Sequence, residues 1–183
     1  MRIVAGKHRG RTLHAPAGDA VRPTSDRIRE ALFNILAHAE WSPGLDGAQI
    51  LDGFCGSGAL GLEALSRGAA SCVFMDSSAD ALDCARHNIA ALKEDGRATL
   101  LRADVLKPPP ARAPCTLALL DPPYGRELVV PALIALAAAG WLAPDALVIA
   151  EADTRDPINL PERFELLDNR AYRNTELRFL RFG

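Results

Sequence analysis

The sequence lacks long hydrophobic runs. Its longest apolar stretches, such as residues 128–139, are well short of the roughly 20 residues that a membrane-spanning helix needs. Residues 1–9 contain no apolar core of the kind found in secretory signals, which predicts a cytoplasmic protein with no membrane partner. With 49% apolar and 24% charged residues, the composition excludes intrinsic disorder, collagen and coiled coil as descriptions of the whole chain. The 183 residues predict one domain.

Cysteine and histidine are also scarce, with four of each. The cysteines include no pair in a C-x-x-C spacing, and the histidines show no ligand spacing. These absences exclude the common zinc patterns, so we predict no metal site. The cysteines are predicted to be small, reduced core residues: Cys55, Cys72, Cys84 and Cys115.

Lysine is rare as well, since 18 of the 21 basic residues are arginine. The net charge of −2 hides an uneven distribution: +4 over residues 1–30, +3 over residues 170–183 and −9 between them. Arginine suits phosphate and base recognition because its planar fork forms paired hydrogen bonds. Charge alone favours a nucleic-acid surface and two solvated surface segments about equally.

Apolar strands alternate with helices from residue 49 onward, which predicts an α/β fold with a mainly parallel sheet covered on both faces. The predicted strands are 49–52, 72–75, 98–102, 116–120 and 146–150, and the helices are 60–66, 79–92 and 128–139. Two further strands, 164–167 and 175–182, have little helix between them and predict an antiparallel pair at the sheet edge.

A hairpin and a helix are predicted before this α/β pattern. Apolar-polar stretches at residues 3–5 and 12–14 flank Gly6 and Gly10, which is typical of a hairpin. A helix is predicted to begin at Thr24. We expect its apolar stripe to contain Ile28, Leu32, Ile35 and Leu36, with Arg27, Arg29 and Glu30 away from that stripe.

A glycine motif lies between the first predicted strand and its helix. Gly56, Gly58 and Gly61 form G-x-G-x-x-G, and Asp76 follows Gly56 by twenty residues, as in dinucleotide-binding folds. Asp52 ends the strand just before this loop, where its carboxylate disfavours a pyrophosphate but suits a cofactor with ammonium and sulfonium groups. The pattern therefore favours S-adenosylmethionine over a nicotinamide dinucleotide, and both over a turn without a ligand.

Carboxylates follow four predicted strands: Asp52, Asp76, Asp104 and Asp121. In an open α/β sheet, ligands bind at this carboxyl edge. Asp121 begins the tetrapeptide Asp121-Pro122-Pro123-Tyr124. Its carboxylate and the Pro122 carbonyl are two acceptors in a rigid turn, and a tyrosine ring follows. Such a turn suits an exocyclic amine on a base that has left its stack, although an ordinary β-turn is the alternative.

The glycine motif and D-P-P-Y together resemble the exocyclic-amine N-methyltransferases. The whole chain more closely resembles the RsmD-type 16S ribosomal RNA guanine-N2 methyltransferases, on three segments: R-I-V-A-G with R-G-R at residues 2–11, R-P-T-S-D-R-I-R-E at 22–30 and G-S-G-A-L-G-L-E-A-L-S-R-G-A at 56–69. This resemblance implies a Rossmann-like class I S-adenosylmethionine-dependent fold with seven strands, an antiparallel C-terminal edge pair and an N-terminal hairpin. It implies one methyltransferase domain over 1–183, with a basic arm at 1–23 and a catalytic core at 24–183.

The resemblance also implies the site residues. The cofactor loop would be Asp52, Phe54, Gly56, Ser57 and Gly58, with Asp76 on the ribose and Asp104 and Val105 at the adenine. The catalytic residues would be Asp121, Pro122, Pro123 and Tyr124. Residues for RNA would be Arg2, Lys7, Arg9, Arg11, Arg22, Thr24 and Arg27, for which a solvated surface is the alternative. Three residues depart from the family pattern: Asp76 is usually Glu, Gly53 is usually larger and apolar, and Arg173 is more often Gly.

We therefore expect methylation of a guanine N2 amine in 16S ribosomal RNA, with the small-subunit particle as partner and a monomeric chain. The alternatives are an N6-adenine methyltransferase on DNA or RNA, a nicotinamide-dependent oxidoreductase and a noncatalytic RNA-binding protein. Glu63 is interpreted as a helix-surface acid and Glu151 as a strand-end acid. Cys55, Trp41 and Trp141 are interpreted as packing residues.

Overall fold

A computed structural model describes residues 1–15, 26–123, 127–157 and 159–183 of the chain. Within these ranges four helices and seven strands follow one another as α1 (Asp26–His38), β1 (Gln49–Gly53), α2 (Ala59–Ser66), β2 (Ser71–Asp76), α3 (Ala79–Leu92), β3 (Ala98–Arg102), β4 (Cys115–Leu120), α4 (Val129–Ala138), β5 (Leu142–Asp153), β6 (Phe164–Tyr172) and β7 (Thr175–Phe182).

The seven strands form one sheet in the order β3-β2-β1-β4-β5-β7-β6. The pairs from β3 to β5 are parallel, while β7 is antiparallel to both β5 and β6. The predicted α/β fold with an antiparallel edge pair is thus confirmed. The order changes direction at β1, and this places the loop after β1 beside the loop after β4, where α/β sheets bind ligands.

The strand residues alternate between two cores. On one face Ile50, Phe74 and Leu119 pack with residues of α1, α2 and α3. On the other face Leu51 and Leu120 pack with residues of α4. Because both faces are covered, the central strands are apolar almost throughout. No helix among the described residues is long and apolar enough to cross a bilayer.

Two strands, β5 and β6, exceed their predicted lengths by more than two residues. β5 begins at Leu142 instead of 146, because pairing with β4 continues past an irregularity between Cys115 and Leu117. β6 continues to Tyr172 instead of ending at 167, through the polar residues 168–170. An edge strand has one neighbour and one open side, so its polar residues do not end it.

The N-terminal segment, residues 1–15, folds back on itself as predicted. Arg2 pairs with Thr12 in an antiparallel bridge, and the Ile3 amide donates to the Arg11 carbonyl at 2.9 Å. Gly6 has φ +80°, and a Cβ there would lie 2.0 Å from the Ser66 carbonyl oxygen. The segment therefore turns directly against the C-terminal end of α2.

One prediction for α1 is wrong. Leu32 and Leu36 are buried as expected, but Arg29, expected away from the stripe, is fully buried as well. The predicted start of this helix at Thr24 lies outside the described residues.

The cysteines are free thiols, with Cys55, Cys72 and Cys115 buried and Cys84 partly exposed. Burial raises the pKa of Cys115 to about 12, so this thiol stays protonated and unreactive.

Candidate functional site

The loop between β1 and α2 has an unusual backbone. Phe54, Gly56 and Gly58 have φ values of 60°, 52° and 77°. Glycine adopts this left-handed region easily, whereas a bulky residue such as Phe54 is strained there. Gly61 is required for a different reason, because a Cβ would lie 2.5 Å from the Phe74 ring. The predicted glycine motif is thus a tight loop followed by close packing of α2 on the sheet.

Asp52 lies at the base of this loop. Its side chain is 1% exposed, and its Oδ2 accepts a hydrogen bond from the Gly61 amide at 2.8 Å. Burial raises the pKa of Asp52 well above its ordinary value. The Gly61 hydrogen bond opposes this effect, and the negative charges of Asp121 and Asp76 add to it. A positive group placed among these carboxylates would relieve their repulsion.

Asp76 holds the loop from the end of β2. Its Oδ2 accepts from the Gly56 amide at 3.0 Å and its Oδ1 accepts from the Ser78 amide at 2.9 Å. The side chain of Asp76, although one carbon shorter than that of a glutamate, therefore reaches the glycine loop directly.

Asp104 and Val105 differ in exposure. Asp104 is exposed after β3, and its Oδ1 accepts from the Leu106 amide at 2.9 Å. Val105 is buried, with both methyl groups near Gly53. A Cβ on Gly53 would lie 2.8 Å from Leu120, so neighbouring side chains fill the space that a larger residue would need.

Asp121 lies beside the same loop. The last residue of β4, Leu120, pairs with Gly53, and the Asp121 amide lies 3.5 Å from the Gly53 carbonyl oxygen. Pro122 is buried and Pro123 is exposed, while Tyr124 lies outside the described residues. The sheet thus brings Asp52, Asp76 and Asp121 to one edge.

A cavity of about 270 Å³ lies on the α4 side of this edge. It adjoins a narrow cleft along Pro122 and Pro123, and the two share Glu127, Val129 and Asp156. Glu151, interpreted as a strand-end acid, lines the cleft from within β5. The remaining walls of the cavity are Val130, Pro131, Pro157, Asn159 and Arg178.

The predicted RNA-binding residues lie on the N-terminal segment and α1. Arg2, Lys7, Arg9, Arg11 and Arg27 are all exposed, and Arg22 and Thr24 lie outside the described residues. Arg2 pairs with Asp26 at 3.8 Å and Lys7 with Glu94 at 3.7 Å. Arg11 donates to the Ala91 carbonyl at 2.9 Å. These contacts hold the basic residues against the start of α1 and the C-terminal end of α3.

Glu63 was interpreted as a helix-surface acid, and this interpretation is wrong. Its side chain is fully buried, and it accepts from the Val4 and Ala5 amides at 2.8 and 3.0 Å and from Arg67 Nε at 2.7 Å. Arg29 Nε lies 3.8 Å from it, and Arg29 also donates to the Arg2 carbonyl. This buried pair holds the N-terminal segment to α1 and α2.

Asn88, a buried polar residue of α3, was also missed. The burial of Arg29 and Asn88 had a signal in the sequence. Arg29 is three residues before Leu32 and Asn88 four residues before Leu92, so each lies on the buried stripe of its helix. Buried polar groups are usually hydrogen-bonded, and Arg29 follows this rule in part: its Nη2 donates to Arg2 and Asp26, while its Nε and Nη1 have no hydrogen-bond partner among the described residues.

Comparison with known proteins gives consistent matches. A family model described as conserved hypothetical protein 95 matches residues 1–181. Ribosomal RNA small subunit methyltransferase D of Haemophilus influenzae is 35% identical over 175 residues, covering 93% of this chain and 88% of that protein. The structure of the yhhF protein from Escherichia coli has a TM-score of 0.84 at 34% identity, covering 100% of this chain and 98% of that one.

A more distant structure shares the fold. An RNA methyltransferase from Salinibacter ruber, solved in complex with S-adenosyl-L-homocysteine, has a TM-score of 0.65 at 13% identity. The aligned part covers 88% of this chain and 94% of that one.

Proposed function

Because this chain belongs to the family described as conserved hypothetical protein 95, the RsmD methyltransferase family, we propose that it methylates the exocyclic N2 amine of a guanine in 16S ribosomal RNA with S-adenosylmethionine as donor. The observation that carries the proposal is the position of Asp121 beside Gly53 and the buried Asp52. There an amine acceptor and a methyl-donor site meet at one edge of the sheet.

The cofactor part rests on the charge of the loop. Asp52, Asp76 and Asp121 form a group of carboxylates in which the charges of Asp76 and Asp121 act on the buried Asp52. A pyrophosphate would add negative charge to this group, whereas the ammonium and sulfonium groups of S-adenosylmethionine would neutralise part of it. Phe54, Gly56, Ser57 and Gly58 would then line the cofactor, with Asp76 at its ribose and Asp104 and Val105 at its adenine. Bound S-adenosylmethionine supplies an activated methyl group.

The amine part rests on Asp121 and Pro122. The lone pair of a guanine N2 amine is conjugated with the ring and is poorly nucleophilic. Hydrogen bonds from its two N–H groups to the Asp121 carboxylate and the Pro122 carbonyl would favour a pyramidal nitrogen whose lone pair points toward the donor. Pro123 would keep the turn rigid and Tyr124 would stack on the base. Alignment of this kind contributes several kcal/mol, and Asp121 would also stabilise the positive charge that develops on nitrogen.

The RNA part rests on the exposed basic residues of the N-terminal segment. Arg2, Lys7, Arg9, Arg11 and Arg27 would follow phosphates, together with Arg22 and Thr24. The relative from Haemophilus influenzae is named for the small ribosomal subunit, so we propose that 16S ribosomal RNA within that particle is the partner of a monomeric cytoplasmic chain. Binding through phosphates weakens as salt concentration rises.

An Asp121→Ala variant tests the proposal. We expect turnover on undermethylated small subunits to fall by ~1000-fold or more, because the amine loses its main acceptor. Calorimetry should show S-adenosylhomocysteine binding within about threefold of the wild type, since Asp121 lies beside the donor site and not at its base.

Mass spectrometry of digested ribosomal RNA identifies the product in the same experiment. N2-methylguanosine is expected, while N6-methyladenosine would contradict the assignment of the base. The control is Asp168→Ala, which removes an acid that pairs with Arg170 on β6, far from the loop. Full turnover by the Asp121→Ala variant would contradict the catalytic role.

A further inference from the structure

Asn88 connects the N-terminal segment to the glycine loop. It lies within α3, its side chain is fully buried, and its amide contacts two separate parts of the chain. The His14 amide donates to Asn88 Oδ1 at 2.8 Å, and Asn88 Nδ2 donates to the His14 carbonyl at 3.0 Å. The same Nδ2 donates to the Ser57 carbonyl at 2.9 Å.

These hydrogen bonds engage both donors and the acceptor of the amide. An asparagine side chain has two N–H donors and one carbonyl acceptor, and His14 and Ser57 engage all three groups. The two bonds to His14 imitate the pairing between neighbouring β-strands. An apolar side chain at position 88 would suit the buried stripe of α3, so the polar residue is explained by the contacts it makes.

The rest of the N-terminal segment is attached to α2, which follows the same loop. The Lys7 amide donates to the Ser66 carbonyl at 2.8 Å, and the His8 amide donates to Ser66 Oγ at 2.9 Å. The Glu63 contacts to Val4 and Ala5 lie one turn before Ser66 on α2. The segment is therefore fixed to the element that begins at the loop and, through Asn88, to the loop itself.

We propose that Asn88 is a positioning residue that couples RNA binding on the N-terminal segment to cofactor binding in the glycine loop. A cofactor that orders the loop fixes the Ser57 carbonyl, and through Asn88 it fixes the His14 backbone next to the basic residues. By thermodynamic reciprocity, RNA bound to the segment tightens cofactor binding by the same factor. This inference rests on the proposed function, because it needs both ligands at the places given above.

The experiment measures the dissociation constant of S-adenosylhomocysteine in the presence and absence of undermethylated small ribosomal subunits. For the wild type we expect RNA to tighten cofactor binding at least ~5-fold. The Asn88→Asp variant keeps the acceptor for the His14 amide but replaces both donors with a charged oxygen that faces two carbonyls. Its coupling factor is expected to fall below twofold.

The matched control is Asn169→Asp. Asn169 is an exposed residue of β6 that donates to Glu176, so this variant makes the same chemical change and loses one amide donor far from the glycine loop. Its coupling factor should equal that of the wild type. A wild type that binds both ligands independently, or an Asn88→Asp variant that retains coupling, would overturn the inference. A wild type that binds neither ligand would instead overturn the proposed function.

Hydrogen exchange on the wild type tests the same contact without a substitution, in case the variant does not fold. Adding S-adenosylhomocysteine should slow exchange of the His14 amide together with the amides of residues 56–58. Slower exchange confined to residues 56–58 would show that the loop and the segment respond separately and would refute the role of Asn88.

Discussion

At the residue scale, Asp52 combines burial with negative neighbours. In the absence of a positive ligand this combination destabilises the folded state, since a buried carboxylate loses hydration and gains repulsion from Asp76 and Asp121. The hydrogen bond from Gly61 recovers part of that loss. Sites that bind charged ligands commonly sacrifice stability in this way.

We predict that Asp52→Asn stabilises the free protein and weakens cofactor binding. The amide can still accept from Gly61 and carries no charge, so the free energy of unfolding at pH 7 should rise by about 1 kcal/mol, a shift of ~2–4 °C in Tm. The affinity for S-adenosylhomocysteine should fall ~10-fold or more as the attraction for its ammonium is lost. Thermal unfolding and calorimetry measure the two effects.

The sign of the pH dependence follows from the raised pKa of Asp52. The folded state binds the carboxyl proton of Asp52 more tightly than the unfolded state does. The stability that this protonation contributes is complete below the unfolded pKa and is lost as pH rises through the folded pKa. The advantage of the variant should therefore shrink as the pH is lowered. The control Asp83→Asn, which removes an exposed acid of α3, should change neither quantity. A lower Tm for Asp52→Asn at pH 7 would be inconsistent with this account.

At the element scale, the β6–β7 hairpin shows why glycine would be favoured at position 173. Tyr172 pairs with Thr175, which leaves Arg173 and Asn174 as a two-residue loop. Arg173 has φ 58°, in the left-handed region that glycine adopts without a steric penalty. A glycine suits the first position of such a loop, and an arginine is strained there.

Arg173→Gly should therefore stabilise the protein by up to about 1 kcal/mol, the left-handed penalty of arginine less the entropy that glycine adds to the unfolded chain. Urea unfolding measures the change. Asn174→Gly is the matched control, because Asn174 is outside the left-handed region. That variant should lose about 0.4–1 kcal/mol. Equal effects of the two substitutions would refute the strain at Arg173.

Elements with a regular apolar period were predictable from the sequence. The predicted bounds of α3 and β3 match the structure, and the four strand-end carboxylates fall where the pattern put them. The buried polar residues were not predictable in the same way. Glu63, Arg29 and Asn88 all form hydrogen bonds with the backbone of residues 2–14, which are distant in sequence, and periodicity carries no information about such partners. The predicted range of β6 is too short because an edge strand tolerates polar residues that a central strand excludes.

At the scale of the whole molecule, Glu94 fastens the N-terminal segment to the loop between α3 and β3. It is 2% exposed, and its Oε1 lies 2.5 Å from His8 Nε2, while Arg97 Nε donates to its Oε2 at 2.8 Å. Burial opposes the charged form, but the hydrogen bonds from His8 and Arg97 and the charges of Arg97 and Lys7 outweigh it. The pKa of Glu94 is therefore lowered.

A lowered folded-state pKa means that the carboxylate stabilises the protein above its unfolded pKa and that this stabilisation is lost as pH falls through the folded value. Glu94→Gln should cost about 1–3 kcal/mol at pH 7, and the difference from the wild type should diminish in acid. Urea unfolding at a series of pH values measures it. Glu165→Gln, on an exposed acid of β6, is the control and should stay within about 0.5 kcal/mol of the wild type. A pH-independent cost for Glu94→Gln would contradict the role of its charge.

The three carboxylates at the sheet edge have a further consequence for any nucleic-acid strand that reaches them. At this edge Asp76 and Asp121, beside the buried Asp52, carry the same charge as a phosphodiester, while the exposed Arg2, Lys7, Arg9 and Arg11 of the N-terminal segment carry the opposite charge. Under the proposed function, a bound nucleotide would be divided between two environments: its uncharged ring would lie at the acidic edge, and its anionic backbone would lie at the basic residues. Electrostatic sorting of this kind would admit one unpaired base and turn away an intact duplex, whose phosphates would accompany every ring.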